Sequence, residues 1–186
     1  FGVENVKIPF AVMVKMAHTL RENNWNVCVK GELKDGCFSC MEITAPTDTA
    51  VVGCAIDIGT TTVTMVMTDL TSGKILAKGS SGNGQIRYGA DVINRIIEQG
   101  KPGGKKKLQD AIIKETLTPI MAGLCKSAGL DPRSILSLCV GANTTMNHLL
   151  LGVDADPVRM EPYIPTFFHW DGLKLSLIHI SEPTRQ

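Results

Sequence analysis

No apolar run in this sequence approaches the ~20 residues that a membrane-spanning helix needs. The N-terminus also lacks a charged region followed by an apolar core and a small-residue cleavage site, so no secretory leader is read there. Net charge is almost absent, at +1 over 186 residues. That balance offers no broad electrostatic case for a nucleic-acid partner or an anionic membrane. The one cationic run, Lys105-Lys-Lys107, follows Pro102-Gly-Gly104 and reads as a solvated loop and helix start.

Paired cysteine motifs are equally thin. Six cysteines, at 28, 37, 40, 54, 125 and 139, are scattered along the chain. Only Cys37-Phe-Ser-Cys40 has ligand-like spacing, and a structural zinc site would want a second such pair. A Cys-x4-Cys-x2-Cys run for an iron–sulfur centre is missing too. Cys37 and Cys40 read as ordinary thiols on opposite faces of a strand. Reduced thiols fit a cytosolic protein. A Gly-x4-Gly-Lys-Ser/Thr loop occurs nowhere.

What is present is an ordinary globular composition, 44% hydrophobic and 20% charged, long enough for one domain and a piece of another. Pro9 to Asn24 predicts a helix, with Phe10, Met13, Val14, Ala17 and Leu20 as its buried stripe. Trp25 to Leu33 and Cys37 to Ile43 predict two strands around a Lys34-Asp-Gly36 turn. Ala45 to Thr49 is a linker. The pattern then changes. Strands are expected at Val51–Ile58, Val63–Leu70 and Ile75–Ser80, then an irregular loop from Gly82 to Gly89. A helix follows from Ala90 to Gln99, with Val92, Ile93, Ile96 and Ile97 inward. A longer helix, Lys106 to Ala128, carries a kink risk at Pro119 and a stop at Gly129. Ile135–Val140 predicts a fourth, buried strand, and Met146–Leu151 a further helix. The order argues a mixed α/β architecture.

Three constellations carry chemistry. In Cys54-Ala-Ile-Asp-Ile-Gly-Thr-Thr-Thr62 a strand ends in an acid, a glycine and three hydroxyls, and a second strand follows at once. A phosphate needs N–H donors, hydroxyls and a metal to offset its charge. Gly59 permits a close turn, Thr60, Thr61 and Thr62 offer N–H and O–H groups, and Asp57 could hold Mg²⁺ through water. A hairpin with no ligand is the plainer alternative. Asn143, Thr144 and Thr145 follow a strand and open a helix, where α/β folds collect ligands. Helix capping by Asn143 or Thr144 is the plainer reading there. His148, on that helix beside three leucines, reads as a packed or surface residue. Gln85-Ile-Arg-Tyr-Gly-Ala-Asp91 could meet a partner or substrate, or could simply support the next helix start through Asp91 and Arg87 or Arg95.

Ala55-Ile-Asp-Ile-Gly-Thr-Thr-Thr-Val63 resembles the first phosphate loop of the ASKHA superfamily. With Gln85–Gly89, Asp91–Ile96, Asn143–Met146, His148–Gly152 and Tyr163-Ile-Pro165 in order, the chain from about Asn24 to Phe168 resembles the reductive activators of corrinoid proteins. The resemblance implies the first lobe of a ribonuclease H-like, actin-like ATPase domain over 50–174. It implies the end of a small middle α/β domain over 1–49. It further implies ATP and Mg²⁺ as cofactors, with Asp57 as the catalytic residue that organises the metal. Gly59, Thr60, Thr61 and Thr62 would hold phosphates, and Asn143, Thr144 and Thr145 would line the cleft. The family returns a corrinoid protein from Co(II) to Co(I) with electrons from a [2Fe–2S] domain. The ligands of that cluster are not in this chain. A corrinoid protein and a reductant or ferredoxin are the implied partners, and a homodimer stays open. A small-molecule kinase of the same superfamily, or a non-catalytic nucleotide-binding module, are the alternatives. Residues 175–186 resemble a translated transposase-type sequencing adapter and are expected to be a scar, so that the chain is a fragment.

Overall fold

Two sheets organise the chain. The computed structural model describes residues 3–47 and 49–168, and the backbone divides into two compact units, Phe1–Val51 and Val52–Gln186. The expected scar at 175–186 lies outside the described residues.

The first unit contains β1 (Asn5–Lys7), α1 (Phe10–Glu22), β2 (Cys28–Lys34) and β3 (Cys37–Thr44). The strand order is β1-β3-β2, with β1 parallel and β2 antiparallel to β3. Lys34 pairs with Cys37, so Asp35 and Gly36 form a two-residue turn. Both have positive φ, at 50° and 71°, as a type I′ hairpin requires. Trp25 is not in a strand. It and Asn24 adopt positive φ, and the Trp25 N–H returns to the Leu20 carbonyl at 2.8 Å, so this segment closes α1 and β2 starts three residues later.

The stripe expected on α1 is corrected. Val12 is its one buried residue, and Phe10, Met13 and Val14 are exposed. Apolar residues surround most of this helix, so spacing admits more than one inward face. The less exposed row is Val12, Met16 and Leu20, four apart on the helix that packs on β3.

The second unit carries β4 (Val52–Ile58), β5 (Thr62–Asp69), β6 (Ile75–Gly82) and β7 (Ile135–Ala142), in the order β6-β5-β4-β7. The first three form antiparallel hairpins, and β7 lies parallel to β4. Alternation sets the two faces of the sheet. Val52, Cys54, Ile56 and Ile58 of β4 and Val63, Met65 and Met67 of β5 are buried, whereas Ala55 and Asp57 are exposed. Each fully buried Ile or Met is worth about 2 kcal/mol against exposure. The fourth strand was expected to be buried. In fact none of its residues is buried, and Cys139 is exposed. It stands last in the strand order, and an apolar run alone does not distinguish burial on two faces from burial on one.

The crossover from β6 to β7 runs through α2 (Val92–Gln99), α3 (Gly104–Ile112) and α4 (Thr118–Ala128). A single π-turn, Ile113–Leu117, joins α3 to α4. Pro119 explains it. Proline has no N–H to return to the carbonyl four residues back, and its ring crowds that carbonyl. The wider turn relieves the crowding, and two hydroxyls take up carbonyls five residues back: Thr116 Oγ1 donates to Ala111 O and Thr118 Oγ1 to Ile113 O, each at 2.8 Å. Gly129, at φ 65°, stops α4. After β7 come α5 (Thr144–Leu151) and α6 (Asp156–Arg159). Among the described residues no helix is long and apolar enough to cross a membrane.

The inward face of α2 is also corrected. Ile96 is buried, but Ile93 and Ile97 are 47% and 45% exposed. Arg95 and Gln99 are buried in their place, at 0% and 2%. Both polar side chains find acceptors inside, which makes their burial tolerable. Gln99 Nε2 donates to Val153 O, and its Oε1 accepts the Ala155 N–H, each at 2.8 Å.

Candidate functional site

Three separate turns of the second unit meet beyond the end of β4. The first is the β4–β5 turn, Gly59–Thr62. Ile58 pairs with Val63, and the Gly59 N–H donates to Thr62 O at 2.9 Å, which closes a four-residue loop. A Cβ on Gly59 would lie 2.6 Å from Thr62 O, so the closure needs glycine.

The second turn lies between β6 and α2, and it is not an irregular loop. Gly84–Tyr88 is a 3-10 turn capped by Asn83, whose side chain accepts the Gln85 N–H. Asn83 and Gln85 are 2% and 1% exposed. Asn83 reaches back to the first loop twice, with its N–H donating to Thr61 O at 2.8 Å and Nδ2 to Gly59 O at 2.9 Å. Thr116 of the π-turn accepts the Gly84 N–H at 3.0 Å. The predicted support at the helix start is divided. Asp91 caps α2 by accepting from Asn94 N and Nδ2, each at 2.8 Å, while Arg87 Nη2 donates to Glu115 at 2.6 Å.

Arg95 donates from Nη2 to Thr60 O at 2.6 Å and from Nε to Gly89 O at 2.8 Å. Its Nη1 lies 3.4 Å from Met146 Sδ and 3.5 Å from Gln85 Oε1. Burial holds this guanidinium below its ordinary pKa, and Asp91 pulls in the opposite direction.

The third turn is β7–α5. Asn143 caps α5, its Oδ1 accepting the Met146 N–H at 2.9 Å, as the plainer reading expects. Its Nδ2 also donates to Thr60 Oγ1 at 3.3 Å, which joins the first and third constellations. Thr144 opens α5, and its carbonyl lies 2.7 Å from His148 Nδ1. Thr145 is 5% exposed. His148 is buried and stacked on Phe167, with ring centroids 4.3 Å apart. It is a packed residue, and its Nε2 has no partner among the described residues.

All four carbonyls of the first loop are thus taken: Gly59 O and Thr61 O by Asn83, Thr60 O by Arg95, and Thr62 O by Gly59. In a trans peptide the N–H points opposite to the C=O. The N–H groups of Thr60 and Thr61 therefore point away from the Asn83–Arg95 clamp. Neither donates to an acceptor among the described residues. Asp57 stands beside this loop on the open sheet face, with Thr64 and Gly141 as cross-strand neighbours. Gly141 has no side chain to crowd it. The loop can present outward-facing amides and hydroxyls to an anion, with an acid at its margin for a cation.

The sequence marked Gly59–Thr62 and Asn143. It marked Gln85 as part of a possible contact loop and Met146 within a motif, but not their place behind the first loop, nor Asn83, nor the inward course of Arg95. Asn83 carried a signal in its place between two glycines. The sequence reads Arg95 as a possible partner of Asp91 at the helix start, whereas its hydrogen bonds go to Thr60 O and Gly89 O.

The RACo middle region family profile matches residues 52–184. Corrinoid activation enzyme RamQ of Eubacterium limosum is 38% identical over 115 residues, covering 61% of this chain and 19% of RamQ. A solved structure of a reductive activator for corrinoid, iron-sulfur protein matches with a TM-score of 0.77 and 36% identity, over 87% of this chain and 26% of that one. The chain thus spans about a fifth to a quarter of the length of these relatives.

Proposed function

The chain belongs to the RACo middle region family, and from that premise we propose that it supplies part of the nucleotide site of an ATP-dependent reductive activator of corrinoid proteins. The second unit is read as the first lobe of an ASKHA-type ATPase domain, and the first unit as the end of a small middle domain. The observation that carries the reading is the clamped β4–β5 loop, with its carbonyls withdrawn and the N–H groups of Thr60 and Thr61 turned outward.

That donor set fits a polyphosphate with its metal. Thr60 and Thr61 amides, with the hydroxyls of Thr60, Thr61 and Thr62, would hold phosphate oxygens around the turn that Gly59 permits. Asp57 would hold Mg²⁺ through water, and Asn143 would orient the Thr60 hydroxyl. Thr144 and Thr145 act through the start of α5. ATP supplies the free energy for an uphill electron transfer to the corrinoid. The chain's part is to bind and orient the phosphates and to fix the loop before they arrive, so that no reorganisation accompanies binding.

Among the described residues no three His, Cys, Asp or Glu side chains gather to hold a metal. On the resemblance alone, the electrons are assigned to a [2Fe–2S] domain elsewhere in the polypeptide, and the partner to a Co(II) corrinoid protein in the cytosol. The test uses the complete polypeptide with a corrinoid partner and a low-potential reductant. ATP hydrolysis stimulated by the partner, together with the Co(I) absorbance band, is the expected result. Co(I) formation at the same rate and extent without ATP would sink the proposal.

A further inference from the structure

Among the described residues of the second unit, Arg95 is the one arginine with no solvent exposure at all. Its contacts are Thr60 O, Gly89 O, Gln85 Oε1 and Met146 Sδ, and every one of these acceptors is neutral. Asp91 is the acid that acts on it electrostatically, yet both Asp91 oxygens are engaged by Asn94 at the start of α2. A buried charge without a contacting counter-charge is costly, and a fold keeps one where something else compensates it. The guanidinium sits on the carbonyl side of the Thr60–Thr61 peptide. The amide side of that peptide is where, on the reading above, phosphate oxygens sit.

We propose that Arg95 is a positioning residue for the phosphate loop, one that also supplies the positive charge by which the loop prefers the most highly charged nucleotide. This inference rests on the nucleotide reading. Arg95 does two things at once. Its Nη2–H fixes the Thr60 carbonyl and thereby aims the Thr61 N–H outward. Its charge, screened little in the interior, adds to the peptide dipole in the same direction. Asn83 performs the first task for the flanking peptides but brings no charge. The two effects therefore separate by substitution.

The experiment measures ATP, ADP and adenosine affinities of the complete polypeptide by calorimetry, for the wild type and for Arg95→Met, Arg95→Gln and Arg95→Lys. The uncharged variants are expected to lose about tenfold to a hundredfold in ATP affinity, less for ADP, and nothing for adenosine. Arg95→Lys, which keeps the charge, should recover most of the preference for ATP over adenosine. A merely structural role would lower all three affinities together. An unchanged ATP-to-adenosine ratio in the uncharged variants overturns the role of Arg95, and so does a lysine variant no better than glutamine. A wild type that binds no nucleotide overturns the nucleotide reading, and this inference with it. Should Arg95→Met fail to fold by circular dichroism, the contrast between Gln and Lys decides.

Discussion

The chain builds two tight hairpin turns by opposite means. In the β2–β3 turn, Asp35 and Gly36 both take positive φ, and nothing lies within 4 Å of a Cβ placed on Gly36. That turn is specified by its own two residues. In the β4–β5 turn no residue takes positive φ. Asn83 and Arg95 hold three of its carbonyls from across the unit, and Asn143 reaches its Thr60 hydroxyl. A turn that only reverses the chain needs local chemistry alone. The turn proposed to present its amide groups is fixed from behind by side chains far away in sequence.

The contrast can be broken at several points. The largest effect is expected for Gly59→Val. The new side chain meets Thr62 O, so the loop opens, nucleotide affinity falls about a hundredfold or more, and stability drops by about 2–3 kcal/mol. Equilibrium urea unfolding and calorimetry on one preparation read both. Asn83→Ala comes next. It frees Gly59 O and removes the cap on the 3-10 turn, at a cost of about 1–3 kcal/mol, and should weaken ATP about tenfold. Wild-type ATP affinity in this variant would show that the clamp is not what aims the amides.

Alkaline pH offers a third probe, on the strand that leads into the clamped turn. Burial, with Cys125 second, pushes the Cys54 thiol up to about 11, above the ordinary value of 9.0. Below pH 9 the thiol is protonated in both folded and unfolded chains, so its contribution is fully present. It is lost as pH rises through 11, by about 2 kcal/mol. Urea unfolding at pH 8.5 and pH 11 should show this loss in the wild type, and a correspondingly shallower one in Cys54→Ala. Equal slopes would remove Cys54 from the account. The smallest effect belongs to the other hairpin. Gly36→Ala should cost about 1 kcal/mol, the strain of a Cβ at positive φ, and leave ATP affinity unchanged. A change in ATP affinity there would erase the distinction between the two turns.

Legibility in the sequence follows the same division. The Asp35-Gly36 turn, the strand–turn–strand around Gly59 and the stop at Gly129 were readable because each is encoded in adjacent residues. The framework behind the loop was not. Amphipathic reasoning turns Ile93 and Ile97 inward and an arginine outward, yet α2 is rotated so that Arg95 meets Thr60 and Gly89. The preference that wins is the satisfaction of carbonyls contributed by other segments, which no window along the chain contains. On α1 the misreading has a different source. Its apolar residues face several ways, and only contact with β3 selects the row Val12, Met16 and Leu20. The strand at 135–142 was found by its composition, but its half-open environment depends on its place in the sheet.

The π-turn at Ile113–Leu117 has a consequence for the phase of the crossover. Each residue of an α-helix advances about 100° around the axis, so one residue accommodated in a wider turn resets the rotation of everything after it. Replacing Pro119 by alanine, with the length unchanged, would let the segment wind as uninterrupted α-helix and so advance everything after it by up to about 100°. That rewinding would swing Met121, Leu124 and Cys125, now buried, off the inner side of the helix that packs on β5 and β6. It would also withdraw the Thr116 hydroxyl from Gly84, the first residue of the turn behind the loop. A change of winding in one turn, far from Gly59 in sequence, would thus act as a rotational gear slip on the site.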